Sequence, residues 1–239
     1  MATYHLNIKS GKRGKAAEHS AYIAREGKHG KNSKGEDLLA LEHGNLPVWA
    51  NDKPNVLWKA ADRYERTNGA AYREFVLALP RELSLEQNLD LVREFVHAEL
   101  GTKPFQLAIH APTAALDDGQ QPHAHIMASD REPDGIDRPP EQHFRRHNSA
   151  HPELGGCKKD SGGKEPAVLK EEVQSRRARW AELQNKHLEM NGHASRVDHR
   201  SNRDRGIDSK PERHLGSGAV KNMTPEEKIQ FQANRKKQN

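Results

Sequence analysis

The stretch "QPHAHIMAS", residues 121–129, sets two histidines one residue apart inside an otherwise apolar run. In a strand, successive side chains leave opposite faces, so His123 and His125 share one face while Ala124, Ile126 and Ala128 share the other. Three further segments repeat the division. In "TYHLNIK" (3–9) Tyr4, Leu6 and Ile8 oppose His5 and Asn7. In "YREFVLALP" (72–80) Phe75, Leu77 and Leu79 oppose Glu74, and in "PFQLAIHAP" (104–112) Phe105, Leu107 and Ile109 oppose His110. The bulkier apolar residues keep to one face in all four. That pattern predicts one sheet with a helix-covered face and an open polar face.

The helices follow from spacing and caps. Ser84 and Gln87 form a capping box ahead of Leu85, Leu89, Val92, Phe95, Val96 and Leu100, and Gly101 ends that helix. A second helix is expected over 166–190, with Leu169, Val173, Trp180 and Leu183 on one side and Gly192 at its end. Shorter helices are expected over 16–26 and 55–67. The span 145–166, rich in Gly, Ser and charge, reads as a mobile loop. The C-terminal stretch reads as a polar helix or a disordered tail.

Composition sets the limits. The 239 residues are 33% hydrophobic and 31% charged, enough for a core but not for one that fills the chain. A single cysteine, Cys157, excludes an internal disulfide and fits a reducing compartment. With no signal-like or membrane-length apolar run, the expectation is a cytoplasmic protein without membrane insertion. Residues 193–239 hold 11 Lys/Arg against 6 Asp/Glu and so account for the whole net charge of +5. The body nonetheless has a basic island: Lys9, Lys12, Arg13, Lys15, Arg25, Lys28, Lys31 and Lys34 against Glu18 and Glu26. Alone, such an island is a solvated loop. Two basic regions on one chain point to a polyanion partner.

His110, His123 and His125, from two strands on one face, make a three-imidazole site with open coordination positions. Ordinary surface histidines are the competing reading, in a chain with 15 of them. A metallo-β-lactamase-like site would want a carboxylate two residues after the second histidine, where Met127 stands. A metal beside a basic surface suits phosphodiester chemistry, with the ion polarising a phosphoryl oxygen. The nucleophile is open at this point among Tyr4, Tyr22, Tyr64 and Tyr72. Tyr22 differs in lying among small residues on a short helix, one turn before Arg25 and Glu26.

The order of "MATYHLNIKSGKRGKAAEHSAYIAREGK", "FVLALP", "AIHAP" and "PHAHIMASDR" resembles the relaxase domain of MobA/MobL-type plasmid mobilisation proteins, within the HUH endonuclease superfamily. "RWAELQNKHLEMNGHASRVDHRS" and "RGIDSKPERHLG" resemble that family's closing segments, so the likeness covers roughly residues 2–216. It implies a relaxase domain over 1–216 and a basic polar tail over 217–239. The implied fold is α+β: an antiparallel sheet of about five strands, helices on one face and a metal site on the open face. The residues supply four strands, and "HASRVD" (193–198) is the candidate for the fifth.

The same resemblance implies Tyr22 as nucleophile, His110, His123 and His125 as metal ligands, and Glu74 as an acidic residue that orients a ligand or accepts the tyrosine proton. One divalent ion is implied, Mn²⁺ or Mg²⁺ in function. Three imidazoles also suit Zn²⁺ or Ni²⁺ and are less natural ligands for Mg²⁺. The implied reaction is nicking and rejoining of single-stranded DNA at an origin of transfer through a 5′-phosphotyrosine intermediate. Relaxosome accessory proteins and a coupling protein of the secretion channel are the implied partners. Arg145 and Arg146, beside His143 and His147, are further candidates for the DNA surface. A rolling-circle initiator or transposase of the same chemistry is disfavoured because Tyr22 precedes the histidines. A non-catalytic DNA-binding module is disfavoured because a structural zinc normally has four ligands.

Overall fold

In the computed structural model, residues 4–32, 37–114, 119–208, 219–220 and 222–238 are described. Lys34 of the basic island and the boundary expected at Gly216 lie outside them. The sheet has five strands: β1 Leu6–Lys12, β2 Leu38–Gly44, β3 Ala70–Ala78, β4 Phe105–His110 and β5 His123–Ala128. The helices are α1 Ala16–Ile23, α2 Lys28–Asn32, α3 Pro54–Tyr64, α4 Leu85–Leu100, α5 Pro140–His143, α6 Pro166–Met190 and α7 Pro225–Gln238. They lie in the order β1-β3-β5-β4-β2, and every neighbouring pair is antiparallel. The strand that carries the two histidines is thus the central one. Its register sets His123 opposite His110, and His125 between Val76 and Ala108.

The apolar faces meet as the alternation predicts. Leu6, Phe75, Leu77, Leu107, Ile109, Ala124 and Ile126 form one core with helices α4 (Leu85–Leu100) and α6 (Pro166–Met190). Phe95 of α4 sits edge-on between Phe75, at 5.9 Å, and Trp180 of α6, at 5.3 Å. The capping box at Ser84 and Gln87 forms, and Gly101 ends α4 at φ 54°. Glu99 joins the two helices through Arg176 at 3.0 Å and Arg179 at 2.6 Å.

On the histidine face, α1 (Ala16–Ile23) and α3 (Pro54–Tyr64) cover the lower part of the sheet around Tyr72, Ala108 and Met127. Lys15, at the N-terminal end of α1, makes no side-chain cap. Asp62 of α3 supplies one instead, accepting from the backbone N–H of Gly14, Ala16 and Ala17 at 2.7–2.9 Å. Arg13 returns the contact by donating to the carbonyls of Asp62 and Arg63. Gln106 then bolts α1 to β4: its amide oxygen accepts from Ser20 at 2.7 Å and from Trp58 at 2.9 Å. The basic island therefore holds a fixed helix rather than a loose loop.

Three expectations need correcting. The fifth strand is Leu38–Gly44, not 193–198. Burial alternates along β2, but the exposed positions carry Leu39 and Leu41 and the more buried ones Ala40, Glu42 and Gly44, so no apolar alternation is visible in "LLALEHG". Residues 193–198 form no strand; instead the side-chain amide of Asn185 bonds the N–H of Arg196 and Val197 and the carbonyl of Val197. The span 145–166 is not a loose loop either. Buried Arg131 and Arg138 donate to the carbonyls of Phe144, Arg145, Pro152, Gly155 and Cys157, and a two-stranded ladder joins Arg131–Glu132 to Lys158–Lys159. Glu65, 1% exposed, neutralises Arg131 at 2.9 Å. The short first helix ends at Ile23, short of 26, where Arg25 turns left-handed at φ 55°.

Residues Pro225–Gln238 form a helix, the first of the two readings of the tail. Among the described residues no helix is long and apolar enough to cross a membrane.

Candidate metal centre

The β4–β5 register brings His110, His123 and His125 together, with one potential ligand atom from each inside a 4.8 Å span. Donors at ~2.1 Å around one ion lie no more than about 4 Å apart, so small side-chain adjustments suffice to seat one. Two of the rings are already oriented. His123 Nδ1 donates to the carbonyl of Gln121 at 2.9 Å, and His125 Nδ1 donates to Glu74 Oε1 at 2.8 Å. Each ring thereby keeps its Nε2 lone pair for a ligand, the tautomer that metal-binding histidines adopt.

His110 is held differently. Its Nε2 donates to the carbonyl of Ile23 at 2.7 Å, and its Nδ1 accepts from Arg25 Nη2 at 3.1 Å. A carbonyl only accepts and a guanidinium only donates, so the tautomer follows from the partners. Burial, reinforced by the charges of Arg25 and the two other imidazoles, outweighs the bond to Ile23 and pushes the His110 pKa down to about 4. Burial likewise lowers His123. Neutral imidazoles are the form a metal ion requires. His123 and His125 offer free Nε2 lone pairs, and His110 completes the donor set when its Nδ1 exchanges the Arg25 N–H for the ion.

Glu74 stands on β3, on the same face, with a side chain only 6% exposed. Burial alone would raise its pKa, but hydrogen bonds from His125 and His19 outweigh that and hold the carboxyl at about 2. His19 reaches the same Oε1 at 2.7 Å from α1. Tyr22, one turn further along α1, is 41% exposed, whereas Tyr72 is 7% exposed and Tyr4 and Tyr64 are half-buried. Burial pushes Tyr72 up to about 12, assisted by the charges of Glu74 and Asp62, and pushes Tyr4 up to about 12 against the charge of Arg177. Arg25 lies over the Tyr22 ring at 4.9 Å and is pinned by Asp37, with contacts of 2.6 and 3.1 Å.

All five residues singled out in the sequence thus gather around α1 and the centre of the sheet. Sequence reasoning missed His19, Arg25 as a site residue, and Asp37. His19 and Arg25 had a local signal, each three positions from Tyr22. Asp37 enters across the chain through Arg25 and has no local pattern. His143 leaves the candidate DNA surface: it is 5% exposed beside Cys157, while Arg145 and Arg146 remain exposed.

A family model, that of the MobA/MobL family, matches residues 24–224. The chain belongs to the MobA/MobL family. Among curated relatives, a 43 kDa relaxation protein of Salmonella typhimurium is 52% identical over 209 residues, covering 87% of this chain and 56% of its own length. Mobilization protein A of Escherichia coli is 42% identical over 225 residues, covering 92% of this chain and 30% of its own. The chain therefore spans about half or less of the relatives it matches. A solved structure from work on the molecular basis of vancomycin resistance transfer in Staphylococcus aureus shares the fold, with a TM-score of 0.57 at 23% identity over 84% of this chain and all of that one.

Proposed function

We propose that this MobA/MobL chain nicks and rejoins one DNA strand at a plasmid origin of transfer, with Tyr22 as nucleophile and a divalent ion held by His110, His123 and His125. The observation that carries this reading is a three-imidazole donor set beside the one exposed tyrosine of the chain's four. When bound, the metal supplies positive charge that polarises a phosphoryl oxygen. The family match begins just past Tyr22, so the tyrosine's role rests on the resemblance of the first 28 residues and on its exposure and surroundings.

In the proposed step the Tyr22 oxygen attacks phosphorus while the bond to the 3′-oxygen breaks. The tyrosine gives up its proton and the departing 3′-oxygen takes one up, leaving a 5′-phosphotyrosine and a free 3′-hydroxyl. One phosphate ester replaces another, so reversal rejoins the strand without ATP. Arg25 sets a cation beside both Tyr22 and His110, where a phosphate needs neutralising. Glu74, at about 2 and engaged with two imidazoles, is a weak base, which supports the orienting role over the proton acceptor.

Exposed Lys12, Lys15 and Lys28 near α1, together with the basic tail, suit a phosphate backbone. The unit extends in this reading over 1–216, with 217–239 as an accessory tail. Relaxosome accessory proteins and a coupling protein belong to the same proposal. The test is incubation with labelled single-stranded origin DNA and Mn²⁺ followed by a denaturing gel. A covalent protein–DNA band that His123→Ala abolishes is expected. Its absence for every origin sequence tried would contradict the reading.

A further inference from the structure

We propose that His19 is a positioning residue for the metal centre: by fixing Glu74 it sets the orientation of His125, and through its ring it couples that setting to Tyr22. The inference rests on the metal reading above and deepens it.

Both hydrogen bonds fall on one oxygen. Glu74 Oε1 accepts from His19 Nε2 at 2.7 Å and from His125 Nδ1 at 2.8 Å. A carboxylate held by one donor can still rotate and let its partner imidazole tilt. A second donor from another direction removes that freedom, and it comes from α1, a different element from the β3 and β5 strands that carry Glu74 and His125. The arrangement is shielded, with side chains 23%, 6% and 14% exposed for His19, Glu74 and His125.

His19 is itself held in place by its ring. It lies nearly parallel to Tyr72, with centroids 5.3 Å apart and planes at 14°, and also stacks on Tyr22 at 5.8 Å and 23°. Tyr72 can lie there only because β1 has glycine beside it: a Cβ on Gly11 would fall 1.9 Å from Tyr72 Cε1. The order of support therefore runs from Gly11 to Tyr72, to His19, to Glu74 and to His125. The Tyr22 ring rests on the same imidazole. A histidine that merely packs α1 onto the sheet would need neither the shared oxygen nor the second stack.

The experiment is isothermal titration of Mn²⁺ into the full chain, with circular dichroism to verify folding. His19→Phe keeps the ring and loses the donor, whereas His19→Gln keeps a donor and loses the ring. Groups that orient a ligand are typically worth about 10–100-fold in metal affinity, and His19 acts one step further out. About 5-fold weaker binding is expected for His19→Phe, with His19→Gln within about 2-fold of wild type. If His19 acts through Glu74, His19→Phe/Glu74→Gln binds no more weakly than Glu74→Gln alone. Wild-type affinity in folded His19→Phe, or losses that multiply in the double variant, would overturn the inference. His19→Asn, too short to reach Oε1, repeats the test if the phenylalanine variant does not fold: weaker binding is expected, and unchanged affinity overturns the inference. A wild-type chain that binds no Mn²⁺ brings down the metal reading itself, and this inference with it.

Discussion

Glu74 Oε1 lies 2.8 Å from His125 Nδ1, so the carboxylate fixes which nitrogen of the imidazole carries the proton. His125 Nε2 is left as a lone pair on the face shared with His110 and His123. Glu74→Gln replaces a charged acceptor with an amide, and Mn²⁺ affinity is expected to fall by about 10-fold. Adduct formation should largely recover at saturating Mn²⁺ if Glu74 orients, whereas a defect that persists there identifies a proton acceptor. The check is titration calorimetry paired with single-turnover kinetics.

Asp62→Ala tests how α1 is anchored. The carboxylate accepts from three backbone N–H groups at the start of the helix that carries His19 and Tyr22. Losing it leaves those donors to water and removes a favourable charge at the helix N-terminus, costing about 2 kcal/mol. A urea series should show the lower midpoint. Asp62→Asn, which keeps one acceptor, should lose less.

Acid should destabilise the metal-free chain in two stages. His110 has a folded pKa of about 4 against 6.5 in the unfolded chain, so the unfolded state binds its proton first and stability falls as pH drops through that window. Glu74 has a folded pKa of about 2 against 4.5, so its contribution is present above 4.5 and is lost as pH falls toward 2. Urea midpoints measured in chelator from pH 7 to 3 should decline throughout. In Glu74→Gln the decline below 4.5 should be shallower. An unchanged slope there would count against the assignment.

Much of this architecture was legible because four strands obey a period of two and their polar residues coincide on one face. His110, His123, His125 and Glu74 were readable for the same reason, since alternation fixes the face before the strand order is known. What stayed hidden depends on irregular or distant partners. Leucines at the exposed positions 39 and 41 conceal β2, and Asn185 holds 193–198 with a side chain where a strand was expected. Gly and Ser in 145–166 suggested looseness, yet Arg131 and Arg138 order it from outside the segment. The second stack on His19 exists only because Gly11, a strand away, makes room for Tyr72.

DNA affinity should fall steeply with salt, since backbone contacts release counterions. Residues 217–239 hold Lys221, Lys228, Arg235, Lys236 and Lys237. At ~0.7 per contacted phosphate on single strands, removing the segment should reduce the slope of log K against log salt by up to about 3.5. Nicking under saturating DNA should survive. A deletion that abolishes it would make the tail part of the catalytic unit.

The most direct measurement is the chemical identity of the covalent link. The adduct formed with single-stranded origin DNA and Mn²⁺ is digested, and the modified residue is located by mass spectrometry. The account predicts a single 5′-phosphotyrosine at Tyr22, lost in Tyr22→Phe, which should still bind metal and DNA. Attachment at Tyr64 or any other residue would contradict it, as would efficient nicking with no adduct, which would make water the nucleophile.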